Sequence, residues 1–379
     1  MTARDATQAG PQRLLMHAFS TFRLGGPQAR FVQIANALGD RYRHVVVAMD
    51  GNFEAGERLA ADVRWETLRL AVRRGGALAN RGTFRAVLAD KHPDLLLTYN
   101  WGAIEWTAAN LPRCVRQVHV EDGFGPDESA GQLPRRIWTR RVLLGLGRVP
   151  VIVASRNLAR LATGTWRVAA SRVCFIANGV ATEAPAGRAA SSRLTIGTVA
   201  GLRPEKNLAR LIRAFAALRA RQDARLVIVG DGPERSVLAD LARALEVAAD
   251  VEFTGYLAEP GRRLREFDLF ALSSDTEQLP MSMLEAMACG VPVVATRVGD
   301  VADVLPEVAH AGLCAANDEA FRECLLAAVD QRANWPVWVA AGRARVEAEY
   351  SEGRMVAEWD SVFAGTHPLL RQAVRARAG

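Results

Sequence analysis

The sequence predicts an α/β protein of two doubly wound domains in tandem. Short apolar runs alternate with stretches of helical periodicity, the pattern of a parallel sheet covered by helices. Two such series follow one another along the chain. Its 379 residues exceed one ordinary domain and leave each of two enough chain to bury a core.

The first series opens with the apolar run Leu14 to Phe19. Phe31, Ile34, Ala35 and Leu38 then recur at helical spacing, before a second run at Val45 to Ala48. Together these form a β-α-β unit. Further strands are expected at Leu95–Thr98, Val115–Val118, Val151–Ala154 and Val173–Ile176. The second series begins at Leu194–Val199 and continues through Leu226–Val229, Val251–Phe253, Leu269–Leu272 and Pro292–Ala295. Between them, Ala181 to Ser192 is rich in Ala, Ser, Pro and Gly and reads as a linker. The expected domains are therefore 1–185 and 186–352.

Charge divides unevenly. Residues 1–185 carry 25 Lys and Arg against 15 Asp and Glu, a net +10, and the remainder carries 23 against 26, a net −3. A basic half suits nucleic acid, anionic lipid or a phosphorylated substrate alike. The five cysteines, Cys114, Cys174, Cys289, Cys314 and Cys324, are widely spaced and form no CxxC or Cys/His cluster, which suits a reducing cytoplasm without disulfides or zinc. No apolar segment follows the first charges as in a secretory signal, and Val142 to Ala154, the longest apolar run, is interrupted by Arg148 and too short to span a bilayer.

Open α/β sheets bind ligands at the carboxyl ends of their strands, so chemistry is expected in the loops that follow strands. In LGGPQAR, Gly25 and Gly26 allow a tight turn, and Pro27 suits the start of a helix whose free NH groups meet a phosphate. The plain alternative is a glycine turn that only starts a helix. In VAGLRPEKN, Lys206 is one of two lysines, against 46 arginines. A compact ammonium on a flexible stem suits a diphosphate that gathers charge as a bond breaks, with Arg203 as a second cation. A solvated helix start is the alternative there. The segment from Ser273 to Thr296 places Glu277 in a polar loop, Pro280 at a first helical turn, Glu285 in an apolar helix and Gly290 at its end. A helical side chain tilts toward the N-terminus, so both carboxylates approach that end, where each accepts vicinal hydroxyls. In QVHVEDGFGPDES, His119 and Asp122 are two candidates for one position at a strand end.

These motifs, in this order, resemble the retaining GT-B glycosyltransferases of family 4, and the resemblance covers nearly the whole chain. Glu277 to Thr296 is similar to the family's paired-glutamate signature. Gly25–Gly26, the NGV of Asn178–Val180, the lysine of RPEKN, VIVGDGP at Val227–Pro233 and FTGYL at Phe253–Leu257 are the other matches. The resemblance implies two Rossmann-like domains facing a central cleft, with a helix near Gly353–Ala364 that crosses back onto the first domain, so that 353–379 joins it. It also implies that Glu285 binds the nucleotide ribose, Glu277 with the adjoining Gln278 and Leu279 the transferred sugar, Arg203 and Lys206 the diphosphate, and Tyr256–Leu257 the base. Catalysis would fall to Asp122 or His119 together with Glu277. A UDP- or GDP-sugar donor, a glycan or lipid-linked acceptor and retention of configuration follow from the same likeness. No DxD tripeptide occurs, so neither a metal nor another cofactor is expected.

Three positions depart from the family pattern: Gln278 stands for the usual glycine, Gly201 for an arginine, and Asp122 directly precedes Gly123 where a histidine is usual. Gly145-Leu146-Gly147 and Gly230-Asp231-Gly232 do not complete the GxGxxG of a nicotinamide-dependent enzyme. No interleaving of aromatic and basic residues marks a nucleic-acid binder. A sugar-nucleotide epimerase of the same fold is the nearer rival. In LPRRIWTRRVLLGLG, Arg135, Arg136, Arg140 and Arg141 flank Ile137 and Trp138, which suits either the inner face of an anionic membrane or a solvated helix face.

Overall fold

The computed structural model describes residues 12–72, 77–124, 126–128, 131–182, 193–257 and 260–370. Most of the expected linker lies outside them. Contacts divide the chain into two units, Met1–Ala177 with Met355–Gly379, and Asn178–Arg354.

The first unit holds seven strands: β1 (Leu14–Phe19), β2 (Arg43–Ala48), β3 (Arg64–Leu68), β4 (Leu95–Tyr99), β5 (Gln117–Glu121), β6 (Val151–Val153) and β7 (Val173–Phe175). They lie in the order β3-β2-β1-β4-β5-β6-β7, and every pairing is parallel. Alternate residues of β1 serve opposite faces. Leu15 and Phe19 pack with Phe31, Ile34 and Ala35 of the helix Gly26–Leu38, while Met16 and Ala18 pack with Phe84, Leu88 and Trp106. Both faces are covered, as a parallel sheet requires. The helix Glu352–Phe363 contributes Met355, Trp359, Val362 and Phe363 to the first of these cores, so its apolar stripe belongs to this unit.

The second unit holds β8 (Leu194–Val199), β9 (Ala224–Val229), β10 (Val251–Gly255), β11 (Leu269–Leu272), β12 (Val293–Thr296) and β13 (Leu313–Cys314). Their order is β10-β9-β8-β11-β12-β13, again parallel throughout. In each sheet the chain winds outward in both directions from its first strand. The switch points therefore lie between β1 and β4 and between β8 and β11, the places where open α/β sheets bind ligands.

Two strands were not expected. β3 is an edge strand of mixed, largely exposed residues and β13 has only two residues, so neither shows an apolar run. The expected Val115–Val118 is shifted: β5 begins at Gln117 and runs on to Glu121, with every residue buried. That shift places His119 inside the sheet rather than beyond its end.

Candidate functional site

In the second unit the two loops at the switch point converge. After β8 the chain forms a short 3-10 turn, Pro204–Lys206, then Asn207 in the left-handed conformation, whose side chain caps the helix Leu208–Arg219. After β11 comes the loop to Pro280, which precedes the helix Met281–Ala288. Lys206 Nζ donates to Glu277 Oε1 at 2.6 Å, and Ser274 Oγ donates to the same oxygen at 2.7 Å. Ser273 Oγ donates to the Lys206 carbonyl at 3.0 Å, and the Asp275 amide donates to the Glu205 carbonyl at 2.9 Å. Charge and backbone thus lock one loop to the other.

Arg210, which the sequence reading missed, supports this pair from behind. It is buried, donates to the Ser273 carbonyl at 2.8 Å, and pairs with Asp275 at 2.8 Å and Asp318 at 3.2 Å. Its position three residues after Asn207 carries no local signal, because its partners come from β11's loop and from a distant helix. Gly299 is required by shape: it has φ +52°, and a Cβ there would lie 2.1 Å from the Glu277 carbonyl oxygen. The Asp300 amide donates to the Gln278 carbonyl at 3.0 Å, which fixes the backbone beside Glu277. Leu279 lies half-buried in the same loop.

Glu285 lies within the helix Met281–Ala288, and no group among the described residues donates to its carboxyl. Burial pushes that carboxyl above its ordinary range. Arg203 is more exposed and meets Glu205 at 3.4 Å. Tyr256 is exposed and Leu257 half-buried just beyond β10.

The first unit is arranged differently. Gly25 and Gly26 are exposed at the start of the helix Gly26–Leu38, and a Cβ on Gly26 would meet nothing within 4 Å. Local packing therefore does not demand a glycine at Gly26. His119 is fully buried, its Nδ1 2.9 Å from Thr98 Oγ1 and its Nε2 3.3 Å from Glu121 Oε2. It faces the interior of the unit.

Asp122 does follow the strand end, but it does not hang free in a flexible loop. Arg30 grips it with two guanidinium nitrogens, one at 3.0 Å, and the Arg30 guanidinium also lies over the Trp359 ring. The Asp122 amide donates to Asn100 Oδ1 at 2.7 Å. Arg140, fully buried, pairs with Glu121 at 3.3 Å and with Glu128 at 3.3 Å, and Arg136 pairs with Glu128 at 2.8 Å. Burial alone would raise the Glu128 carboxyl, but Arg136 and Arg140 more than offset it and hold it below its ordinary value. The expectation that Arg135, Arg136, Arg140 and Arg141 form one basic face is corrected here. Arg136 and Arg140 turn inward, and only Arg135 and Arg141 are exposed.

A family model described as glycosyl transferases group 1 matches residues 181–335, and one described as glycosyltransferase family 4 matches residues 24–184. The chain belongs to the GT-B glycosyltransferases of family 4, group 1 type. N-acetyl-alpha-D-glucosaminyl L-malate synthase of Bacillus anthracis is 35% identical over 120 residues, covering 32% of each chain. A GDP-mannose-dependent monoacylated alpha-(1-6)-phosphatidylinositol monomannoside mannosyltransferase of Corynebacterium glutamicum is 34% identical over 158 residues, 39% of this chain and 41% of the relative. The chain thus spans less than half the length of each of these two relatives. Among solved structures, a glycosyltransferase from Rickettsia africae superposes with a TM-score of 0.77 at 13% identity, covering 93% of this chain and 98% of that one. Anabaena Alr3699/HepE in complex with UDP gives 0.75 at 16% identity, covering 93% and 100%. At such identities the likeness shows the GT-B fold. Within this family-4 chain, the paired glutamates and Lys206 all fall in the second unit, at its switch point.

Proposed function

We propose that this chain transfers a sugar from a UDP- or GDP-sugar to a glycan or lipid-linked acceptor, with retention of configuration, in polysaccharide or glycoconjugate biosynthesis. The observation that carries this reading is the Lys206–Glu277 pair at 2.6 Å, which joins the two loops of a switch point. A relative that depends on GDP-mannose and a fold neighbour bound to UDP support a nucleotide diphosphate donor.

On this reading the diphosphate displaces Glu277 from Lys206, and Arg203 adds a second positive charge. Glu277, freed, accepts hydroxyls of the transferred sugar beside Gln278 and Leu279. Glu285 accepts the ribose hydroxyls, whose arrival supplies partners to its half-buried carboxyl. Tyr256 and Leu257 line the base, and the amides after Gly25 and Gly26 approach the phosphates. As the bond from the anomeric carbon to phosphate oxygen breaks, the acceptor oxygen bonds to that carbon from the same side. Its proton passes to the departing phosphate, so the nucleotide diphosphate leaves protonated and no protein nucleophile is consumed. Lys206 and Arg203 stabilise the charge on the leaving group, the task a metal performs elsewhere. By analogy with the family, Asp122 takes the position usually held by a histidine. Its pairing with Arg30 holds the side chain in place. The first unit takes the acceptor.

No described helix is long and apolar enough to cross a membrane. Trp138, 66% exposed, and Leu146, 80% exposed, stand beside exposed Arg135 and Arg141, which suits contact with the inner face of an anionic membrane.

Labelled UDP- and GDP-sugars test the reading. Lys206→Ala should lower turnover at saturating donor by on the order of a hundredfold, the loss of one preorganised electrostatic contact. Near-normal turnover would remove Lys206 from the site. NMR of the product should show the donor's anomeric configuration, and an inverted product would overturn the mechanism.

A further inference from the structure

At the first unit's switch point, the end of β1 and the turn after β4 press together. A Cβ on Gly102 would lie 2.2 Å from the Ser20 Cβ, so only glycine lets the turn Trp101–Ala103 approach so closely. Asn100, at φ +53°, accepts the Asp122 amide through its side chain and ties the same turn to the end of β5. The half-buried Trp101 ring is backed by two cations, with the Arg136 guanidinium 4.9 Å and that of Arg140 5.3 Å from its centroid. Arg140 is itself clamped between Glu121 and Glu128. The indole is therefore held on a rigid mount.

Two cavities share this ring. One, of about 900 Å³, is also lined by Glu105, Asp50 and Thr21. The other, of about 410 Å³, is lined by Asp122, Asp127 and Asn100. Both lie wholly within the first unit. One oxygen of Glu105 accepts from Asn80 at 3.0 Å, and an ionised carboxyl keeps further lone pairs for hydroxyl donors.

We propose that Trp101 is the platform on which a sugar ring of the acceptor stacks, with Glu105 and Asp50 receiving its hydroxyls. An indole offers a flat apolar face, to which the C–H face of a pyranose is complementary, and carboxylates at its edge accept the hydroxyls that project sideways. The pairing of such a face with flanking acids selects a polyhydroxylated ring over a purely apolar chain. The acceptor is thus a glycan end, whether free or carried on a lipid. This inference rests on the reading that the first unit takes the acceptor.

The test is saturation-transfer NMR with a panel of methyl glycosides and disaccharides, on the wild-type chain, Trp101→Phe, Trp101→Ala and Glu105→Gln, with UDP and GDP titrated in parallel. At least one glycoside should bind the wild type and Trp101→Phe. Its affinity should fall about tenfold or more in Trp101→Ala, the loss of one aromatic contact and its buried area. Glu105→Gln leaves the ring's mount untouched and should weaken binding several-fold, so the inference stays testable if Trp101→Ala does not fold. Nucleotide affinity should not change in any folded variant. A panel in which nothing binds the wild type, or a glycoside that Trp101→Ala and Glu105→Gln hold as tightly as the wild type does, overturns the proposal. A wild-type chain that binds glycosides but neither nucleotide counts against the transferase reading and leaves the Trp101 assignment standing.

Discussion

Around the end of β5 in the first unit the charges are paired inside the protein: Asp122 with Arg30, and Glu121 and Glu128 with Arg140. Among the described residues of the second unit's switch point, Lys206 has Glu277 as its one charged partner, and the half-buried Glu285 carboxyl receives no hydrogen bond. The two sheets wind in the same way. A closed network fixes shape, because each buried charge already has its counter-charge and any displacement would strand one. An open or singly paired group keeps interaction energy in reserve, and a ligand that brings the missing partner gains it. The first arrangement suits a rigid mount and the second a site that binds charge.

Arg140 carries the largest expected difference between the two units. Arg140→Met keeps much of the side chain's volume and leaves Glu121 and Glu128 short of their shared cation, so it should cost about 3–5 kcal/mol of stability. The same substitution at Lys206 should cost less, about 1–3 kcal/mol, because the pair is only part-buried and Glu277 keeps Ser274 Oγ as a donor. Denaturant titration of both variants checks this, and equal losses would erase the distinction between the two regions.

Acid sharpens the contrast next. Beneath the first unit's switch point, His17 Nε2 lies 3.0 Å from His44 Nδ1, and His17 Nδ1 lies 3.0 Å from the Tyr99 hydroxyl. Burial lowers His17, with the neighbouring His44 adding to the effect, and burial lowers His44 from 6.5 to about 4. Both rings are therefore neutral in the folded state and protonate more readily in the unfolded chain. Their stabilising share is complete above pH 6.5 and is lost as pH falls toward 4, by roughly 3 kcal/mol for His44. The melting temperature should fall across that interval in the wild type and fall less steeply in His44→Gln. An unchanged slope would refute the buried, neutral state.

How legible each region was follows from the same difference. β1, β8 and β11 were readable to the residue, because each is an apolar run bounded by polar loops. Lys206, Glu277 and Glu285 could be singled out as candidates too, since they stand in loops and a helix where their residue types are conspicuous, and the structure joins Lys206 to Glu277. β5 was not. Gln117, His119 and Glu121 alternate with Val118 and Val120, and all five are buried, so the apolar run stops short of the real strand. The partners that make their burial tolerable, Thr98, Thr107 and Arg140, lie far off in the sequence. Arg30's hold on Asp122 and Arg210's hold on the Ser273 loop were hidden for the same reason. Long-range charge pairing leaves no periodic trace.

We propose that the donor nucleotide is held by the second unit, with the half-buried Glu285 carboxyl gaining partners when the ribose arrives. Isothermal titration of UDP and GDP into the wild type, Glu285→Ala and Asp122→Asn tests it most directly. Removing a carboxylate that accepts ribose hydroxyls should weaken the preferred nucleotide by about tenfold or more, while Asp122→Asn, which alters only the first unit's paired charge, should leave the affinity unchanged. Unaltered affinity in Glu285→Ala, for a chain that binds either nucleotide, would contradict the account.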